Sequence, residues 1–158
     1  MTTVSYPSEQ HPGPVPVRLE IPDGWESLGV PGVVLAVRQQ EQNAGFTPNV
    51  IVRETLRQGL DQTADVVREL ERTLDGHAGA AMSHPTEVDL GGTTFTRVEV
   101  GFDDPSGVRV EQIHVFHAAA RPDGLQTLVH ATGGVGVPGG EQDRETVEKV
   151  LGSLRIGG

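Results

Sequence analysis

Cysteine is absent from the 158-residue chain, which excludes disulfide bonds, thiolate catalysis and cysteine-type zinc sites together. Lysine is nearly absent, because Lys149 is the only one and the remaining basic residues are arginines that stand singly. With 22 acidic against 12 basic residues, the formal net charge is −10. Such a surface repels phosphate backbones and anionic lipid heads, so the composition predicts no nucleic-acid partner.

Aromatic residues and long apolar runs are also scarce. Four phenylalanines, one tyrosine and one tryptophan are too few to form stacking platforms for single-stranded nucleic acid. No apolar stretch approaches the ~20 residues of a membrane-spanning helix. Residues 1–7 lack the charged and apolar segments of a signal peptide. We therefore expect a cytoplasmic protein without membrane insertion.

Glycine and proline are plentiful, at 21 and 11 residues, and they divide the chain into short periodic segments. Residues 1–14 contain Pro7, Pro12 and Pro14, which predict a flexible N-terminal arm. The length fits one domain, and we place it at residues 15–156.

Apolar alternation predicts strands, and a helical stripe that includes Val66, Leu70 and Leu74 predicts a helix over 61–77. A second helix is predicted over 141–154. The predicted strands are 15–21, 33–38, 46–56, 86–90, 93–102, 108–119 and 125–132. Short turns join the last four of them, which is typical of antiparallel hairpins. The fold class is therefore α+β, an antiparallel sheet of about six or seven strands flanked by two main helices, in the order β-β-β-α-β-β-β-β-α.

A glycine-rich segment, 134–139, matches the dinucleotide-binding pattern G-x-G-x-x-G and lies between a predicted strand and a predicted helix. Three features oppose that function. No second parallel strand follows before Gly158, the preceding strands are antiparallel, and the helix opens with the acidic residues Glu141, Asp143 and Glu145. We interpret the segment as a mobile connection to the last helix.

The histidines do not form a metal-binding motif. His114 and His117 differ by three positions, so on a strand they point to opposite faces and cannot hold a metal jointly. The chain also lacks the nucleophile-elbow, P-loop, H-E-x-x-H and EF-hand patterns. The sequence accordingly predicts no metal, no cofactor and no catalytic residue.

Polar residues on the late strands form the candidate binding site. If the 121–124 turn closes a tight hairpin, His114 lies opposite His130 and Gln112 opposite Thr132, at ~5 Å. If the 103–107 turn is also tight, Thr96 lies beside His114. The resulting row is either a small polar pocket, sensitive to protons where imidazole titrates, or an ordinary, partly exposed sheet face. We favour the second interpretation, because a slip of one residue disperses the row.

The other face of the same strands carries Arg97, Glu99, Arg109 and Glu111. In the same register Glu99 lies opposite Glu111, with arginines beside both. A solvated charge ladder is the favoured interpretation, since arginine neighbours oppose the raised pKa that a catalytic carboxyl pair needs.

The segment Gly45–Val52 reads Gly-Phe-Thr-Pro-Asn-Val-Ile-Val. Pro48 cannot donate to a strand ladder and predicts an edge or a bulge, and Asn49 can bond the backbone groups freed there. This F-x-P-N-V-x-V pattern resembles the Mog1/PsbP-like proteins, in particular the actinobacterial LpqN-type family. The Pro-Asp-Gly-Trp turn at 22–25 and the Leu-Gly-Ser-Leu-Arg exit at 151–155 are similar to the family's pattern as well.

The resemblance covers Val15 to Ile156 and implies an α/β/α sandwich without a shared reaction. Relatives on this fold bind partners, and they include photosystem accessory factors, a small-GTPase-binding factor and secretion-effector chaperones. The family has no common functional motif, so no site residue is carried over. LpqN-type members usually carry a lipoprotein signal with its cysteine, and their absence here favours the cytoplasm.

The leading functional hypothesis is a non-enzymatic protein-binding module that uses a sheet face or edge, with Pro48 marking an edge for a partner strand. The alternative is a small-molecule or lipid carrier with a pocket between sheet and helix near His114 and His130. An enzyme with an unrecognised site comes third, because no cluster of perturbed acids or bases is evident. The oligomeric state stays open, a homodimer included.

Overall fold

Ten strands and two helices form within the described residues, which are 1–41, 45–59, 61, 64–137 and 140–157 of a computed structural model. The helices are α1 (Ala64–Leu74) and α2 (Gly140–Gly152). The strands are β1 (Val17–Arg18), β2 (Trp25–Leu28), β3 (Leu35–Gln39), β4 (Asn49–Arg57), β5 (Ala78–Met82), β6 (Thr86–Leu90), β7 (Thr93–Asp103), β8 (Arg109–Ala120), β9 (Gln126–Val137) and β10 (Arg155–Ile156).

Eight strands form one antiparallel sheet in the order β2-β3-β4-β9-β8-β7-β5, and β6 pairs with β7 beside β5. The remaining two strands, β1 and β10, form a separate antiparallel ribbon. The predicted α+β class, with an antiparallel sheet flanked by two helices, is confirmed. The sheet has one strand more than the upper end of the predicted range, because the short strands β2 and β5 were not predicted and the predicted strand 15–21 pairs outside the sheet.

Each face of the sheet buries its own apolar cluster. The larger cluster lies on the α2 side, where the apolar stripe of α2 packs against β4, β8 and β9 and the β1–β10 ribbon closes over it. The smaller cluster lies under α1, where Val66 and Leu70 pack on Val98, Phe116 and Leu128. Asp65 in the first turn of α1 and Arg72 in its last turn complement the helix dipole.

The helix predicted over 61–77 ends earlier in the structure, at Leu74. Residues 62 and 63 of the predicted helix lie outside the described residues.

The N-terminal part of the domain is less regular than its alternation predicts. Of the predicted strand 15–21 only Val17–Arg18 pairs, with β10. Side-chain oxygens accept the backbone N–H groups on either side of this pair: Val15 N donates to Glu54 Oε1 at 2.7 Å, and Glu20 N donates to Ser153 Oγ at 2.8 Å. The missed strands β2 and β5 are short, and β5 reads Ala-Gly-Ala-Ala-Met without polar alternation.

Pro48 lies directly before β4, and β4 lies between β3 and β9 in the interior of the sheet. The predicted sheet edge at Pro48 is therefore wrong. A proline outside the ladder needs no edge, and its carbonyl accepts a hydrogen bond from Gln39 N at 3.1 Å. The expected role of Asn49 is confirmed, because its Nδ2 donates to the Thr47 carbonyl at 3.0 Å.

The glycine-rich segment is strand rather than a mobile connection, because β9 continues to Val137 and pairs with β8 over its whole length. Residues 138 and 139 lie outside the described residues. The glycines admit close neighbours on both faces. A Cβ on Gly133 would lie 2.4 Å from Val147 Cγ1 of α2, and a Cβ on Gly136 would lie 2.7 Å from Phe46 Cβ.

We predict that Gly133→Ala destabilises the fold by about 1–3 kcal/mol, because the added methyl group overpacks the contact with α2. Gly29→Ala is the matched control, since nothing lies within 4 Å of a Cβ there and its φ is not positive. Urea unfolding of the wild type and both variants measures the change in the free energy of unfolding. Equal stability of the two would show that α2 does not pack closely on β9.

Candidate functional site

The two hairpins that carry the polar row both differ from the predicted register. His114 lies opposite Thr132 and Val98, while His130 and Thr96 both lie opposite Phe116. The predicted pairs His114–His130, Gln112–Thr132 and Thr96–His114 are therefore wrong as directly opposed pairs. The turn is wider than assumed, since Arg121 N donates to the Leu125 carbonyl at 3.0 Å and the ladder starts at Ala120 and Gln126. Each slip amounts to two residues, which leaves every side chain on its predicted face.

Four of the five predicted residues are nevertheless joined through His114, and we name them the His114 network: Gln112, His114, His130 and Thr132. His114 Nδ1 lies 2.8 Å from His130 Nε2 and 3.2 Å from Thr132 Oγ1. On the other side of the ring, His114 Nε2 lies 2.9 Å from Gln112 Oε1. Thr96 lies outside the network, buried on the same face beside Phe116.

The hydrogen bonds determine where the protons lie. Gln112 Oε1 can only accept, so His114 Nε2 carries the proton and donates to it. His114 Nδ1 is then an acceptor with a single lone pair, which the N–H of His130 Nε2 at 2.8 Å and the hydroxyl of Thr132 at 3.2 Å share. His114 is neutral in this arrangement, and both of its ring nitrogens are occupied by protein groups.

Burial and nearby arginines keep both rings neutral. Burial is the main cause that lowers the pKa of His114 to about 3, and the charges of His130 and Arg53 lower it further. Burial also lowers the pKa of His130 to about 4, with Arg53 and Arg57 adding to the effect and Glu69 opposing it. Both values lie below the range in which a free imidazole titrates.

A cavity of about 80 Å³ lies between α1 and the sheet, beside two members of the His114 network. Gln112 and His114 line one side. The other lining residues are mainly apolar or come from α1 and its exit: Leu70, Thr73, Leu74, His77, Val100 and Phe102. The cavity has room for a few water-sized molecules at ~30 Å³ each.

A larger cleft of about 360 Å³ opens on the α2 side, and Arg144 of α2 spans it. The Arg144 guanidinium contacts Glu99 of β7 and also Glu111 of β8, the latter at 3.2 Å. The predicted direct opposition of Glu99 and Glu111 is wrong, since the same two-residue slip places Ile113 opposite Glu99 and Gly101 opposite Glu111. The charges on this face form a partly exposed ladder of ion pairs, to which α2 adds an arginine that the hairpin pattern did not reveal.

A third surface lies on the α1 side where α1 does not reach. We name it the open face and define it by Leu28, Ala36, Ile51, Arg53 and Thr132. Register places them side by side on β2, β3, β4 and β9, because Ile51 is opposite both Ala36 and Thr132, and Arg53 is opposite His130. Phe46 borders the face over Gly134. No sequence pattern indicates the position of Arg53, because β4 and β9 are distant in the chain and no turn predicts their pairing.

The described residues contain no group of three or more histidine, aspartate or glutamate side chains that could hold a metal ion. Neither α1 nor α2, the helices within the described ranges, is long and apolar enough to cross a bilayer.

We predict that acid destabilises the protein through the His114 network. Since the folded pKa values of about 3 and 4 lie below the unfolded value near 6.5, the unfolded chain binds more protons in between. The stabilisation is present above pH 6.5 and is lost as the pH falls toward those values. From about pH 6.5 to about pH 5 the loss is about 2 kcal/mol for each histidine.

Urea unfolding at several pH values measures this loss. The variant His130→Gln should show a smaller loss, whereas His84→Gln, an exposed loop histidine, should keep the wild-type dependence. Identical pH dependence in all three proteins would contradict the prediction.

No family profile and no curated protein matches the chain. Solved structures do match, among them the crystal structure of LpqN, which is involved in cell envelope biogenesis of Mycobacterium tuberculosis. The two chains are 14% identical and superpose with a TM-score of 0.73, over 99% of this chain and 90% of LpqN. The likeness at this identity concerns the fold alone, and it confirms that this chain has an LpqN-like fold.

Proposed function

We propose that the protein is a non-enzymatic binding module that holds a segment of another protein on the open face. One observation carries the proposal. The α2 side of the sheet is covered by α2 and the β1–β10 ribbon, whereas on the other side the α1 cluster draws on β5, β7, β8 and β9, and the Arg57–Glu69 ion pair joins α1 to the end of β4. In the part beyond α1, Arg53 is exposed, Leu28, Ile51 and Thr132 are half-buried and Ala36 is buried, so a charge lies beside partly accessible apolar side chains. Surfaces that bind proteins commonly combine apolar and charged side chains in this way.

The face is a better binding surface than either sheet edge. The β5 edge is interrupted by a bulge between Ala78 and Ala81, and Arg109 Nη1 already donates to the Gly79 carbonyl at 2.6 Å. The β2 edge is four residues long, and β6, which pairs only with β7 among the described strands, is five residues long. Bulges and short strands are the usual means by which edges avoid pairing with another chain. The open face, in contrast, rests on β4 and β9, which are paired on both sides and hold it rigid.

The state of the His114 network supports a non-enzymatic role. His114 is neutral, its ring nitrogens are both hydrogen-bonded within the protein, and its side chain is buried. A general base needs a lone pair that reaches the substrate, and His114 directs neither nitrogen outward.

A small polar molecule in the cleft beside Arg144 is the second candidate ligand. The cavity beside His114, at about 80 Å³, is well below the roughly 300–1,000 Å³ of ordinary ligand pockets, whereas the cleft, at about 360 Å³, reaches that range. Native mass spectrometry of the purified protein, together with thermal shifts across a metabolite panel, tests this candidate. Absence of both a retained ligand and any shift would count against it.

We predict that Ile51→Thr weakens retention of a partner polypeptide by the immobilised protein, because it removes apolar contact area from the open face. Leu56→Thr is the matched control. It lies on the same strand and is exposed, but it points to the opposite face. Mass spectrometry compares the polypeptides that wild type and both variants retain from native lysate, after unfolding curves have shown that all three are folded.

Soluble and envelope fractions are used separately, because the sequence predicts a cytoplasmic protein whereas LpqN is involved in cell envelope biogenesis. A stoichiometric partner that Ile51→Thr loses and Leu56→Thr keeps is the expected result. If wild type retains no polypeptide from either fraction, the proposed function is wrong.

A further inference from the structure

Arg53 is the cation of the open face that no described residue neutralises. Its side chain is exposed, and it forms no ion pair or hydrogen bond with the rest of the described chain. The arginines on either side of it are paired. Arg38 Nε lies 3.0 Å from Glu26 Oε1, and the Arg57 guanidinium holds both carboxylate oxygens of Glu69 at 2.6 Å.

The neighbours of Arg53 leave its guanidinium free for an external group. His130, directly opposite, is neutral and directs Nε2 to His114. Ile51, two positions earlier on the same side of β4, supplies apolar surface next to the charge, and Thr132 opposite Ile51 supplies a hydroxyl. A guanidinium presents its N–H donors in a planar fork that matches a carboxylate, and such pairs are stronger than neutral hydrogen bonds.

We propose that the open face takes an acidic segment of a partner protein, in which Arg53 binds an aspartate or glutamate carboxylate and Ile51 contacts an apolar side chain beside it. This inference rests on the proposed function and names the chemistry of the partner. Charge complementarity supports this inference, since Arg53 is exposed, has no ion pair with a described residue and lies beside the half-buried Ile51.

The charge of the whole chain narrows the partner further. At a net charge of −10, the remaining surface repels a long acidic run. A segment with a single carboxylate between apolar residues avoids most of that repulsion and can still form an ion pair with Arg53. Because the carboxylate has one favourable position, the arginine also sets the register of the bound segment.

A random dodecapeptide library, displayed on phage and selected on the immobilised full-length chain, tests the inference. We expect enriched peptides to carry aspartate or glutamate next to an apolar residue. Fluorescence anisotropy then measures Kd for synthetic copies. Arg53→Met should weaken binding about tenfold or more, Arg53→Lys should recover part of the affinity, and amide NMR shifts should map to Ile51 and Thr132.

Arg18→Met is the matched control, because Arg18 is exposed and has no ion pair with a described residue, but lies in the β1–β10 ribbon. Its affinity should equal that of wild type. The inference is overturned if the library gives no binder, if enriched peptides are basic, or if Arg53→Met and Arg18→Met bind equally. Sodium dodecanoate is a second probe, and shifts of the same amides by it alone would identify an amphipathic small molecule instead of a peptide.

Failure of this inference is distinguishable from failure of the proposed function. A lysate partner that is lost with Ile51→Thr but kept with Arg53→Met would leave the binding module intact and reject the carboxylate anchor. Retention of no partner at all would reject the proposed function itself.

Discussion

The packing of β9 against its neighbours is the constraint on which the rest of the structure depends. This strand pairs with β4 on one side and with β8 on the other, so it joins the two halves of the sheet. Glycine at 133 lets Val147 and Leu151 of α2 approach the strand, and glycine at 134 and 136 lets Phe46 lie against its other face. Larger side chains at these positions would push both layers away from the sheet. The pattern that resembles a phosphate-binding loop is therefore explained by close packing.

The same strand positions the polar residues. His130 and Thr132 point to the α1 side, where β8 supplies His114 and Gln112. Burial makes a charged imidazole unfavourable there, and hydrogen bonds occupy both ring nitrogens of His114 and Nε2 of His130. Such a buried network is costly when partly satisfied, so it favours one register of β8 against β9.

The two faces of the sheet differ in how they are closed. On one side α2 and the terminal ribbon bury a large cluster, and Arg144 ties the helix to Glu99 and Glu111 at the margin. On the other side one short helix packs over the part of the sheet that contains β5, β7, β8 and β9, and its apolar cluster includes no residue of β2 or β3. Arg57 and Glu69 connect α1 to the end of β4. The open face is thus a consequence of helix length and placement, which makes it a stable feature of the fold.

The sequence by itself determined whatever depends on local periodicity and on short turns. The strand 86–90 has the predicted bounds, the stripe containing Val66 and Leu70 forms α1, and the segment around Pro48 and Asn49 resembles the family whose fold the structure shares. Faces of strands were also predictable, because a slip of two residues preserves them. Only the tertiary structure decided the register, since the extra length of the 121–125 turn moved His114 opposite Thr132. Tertiary packing also decided the surroundings of Arg53 and Arg144. Arg53 lies opposite His130 and Arg144 contacts Glu99, and no local sequence pattern encodes contacts between residues so far apart in the chain.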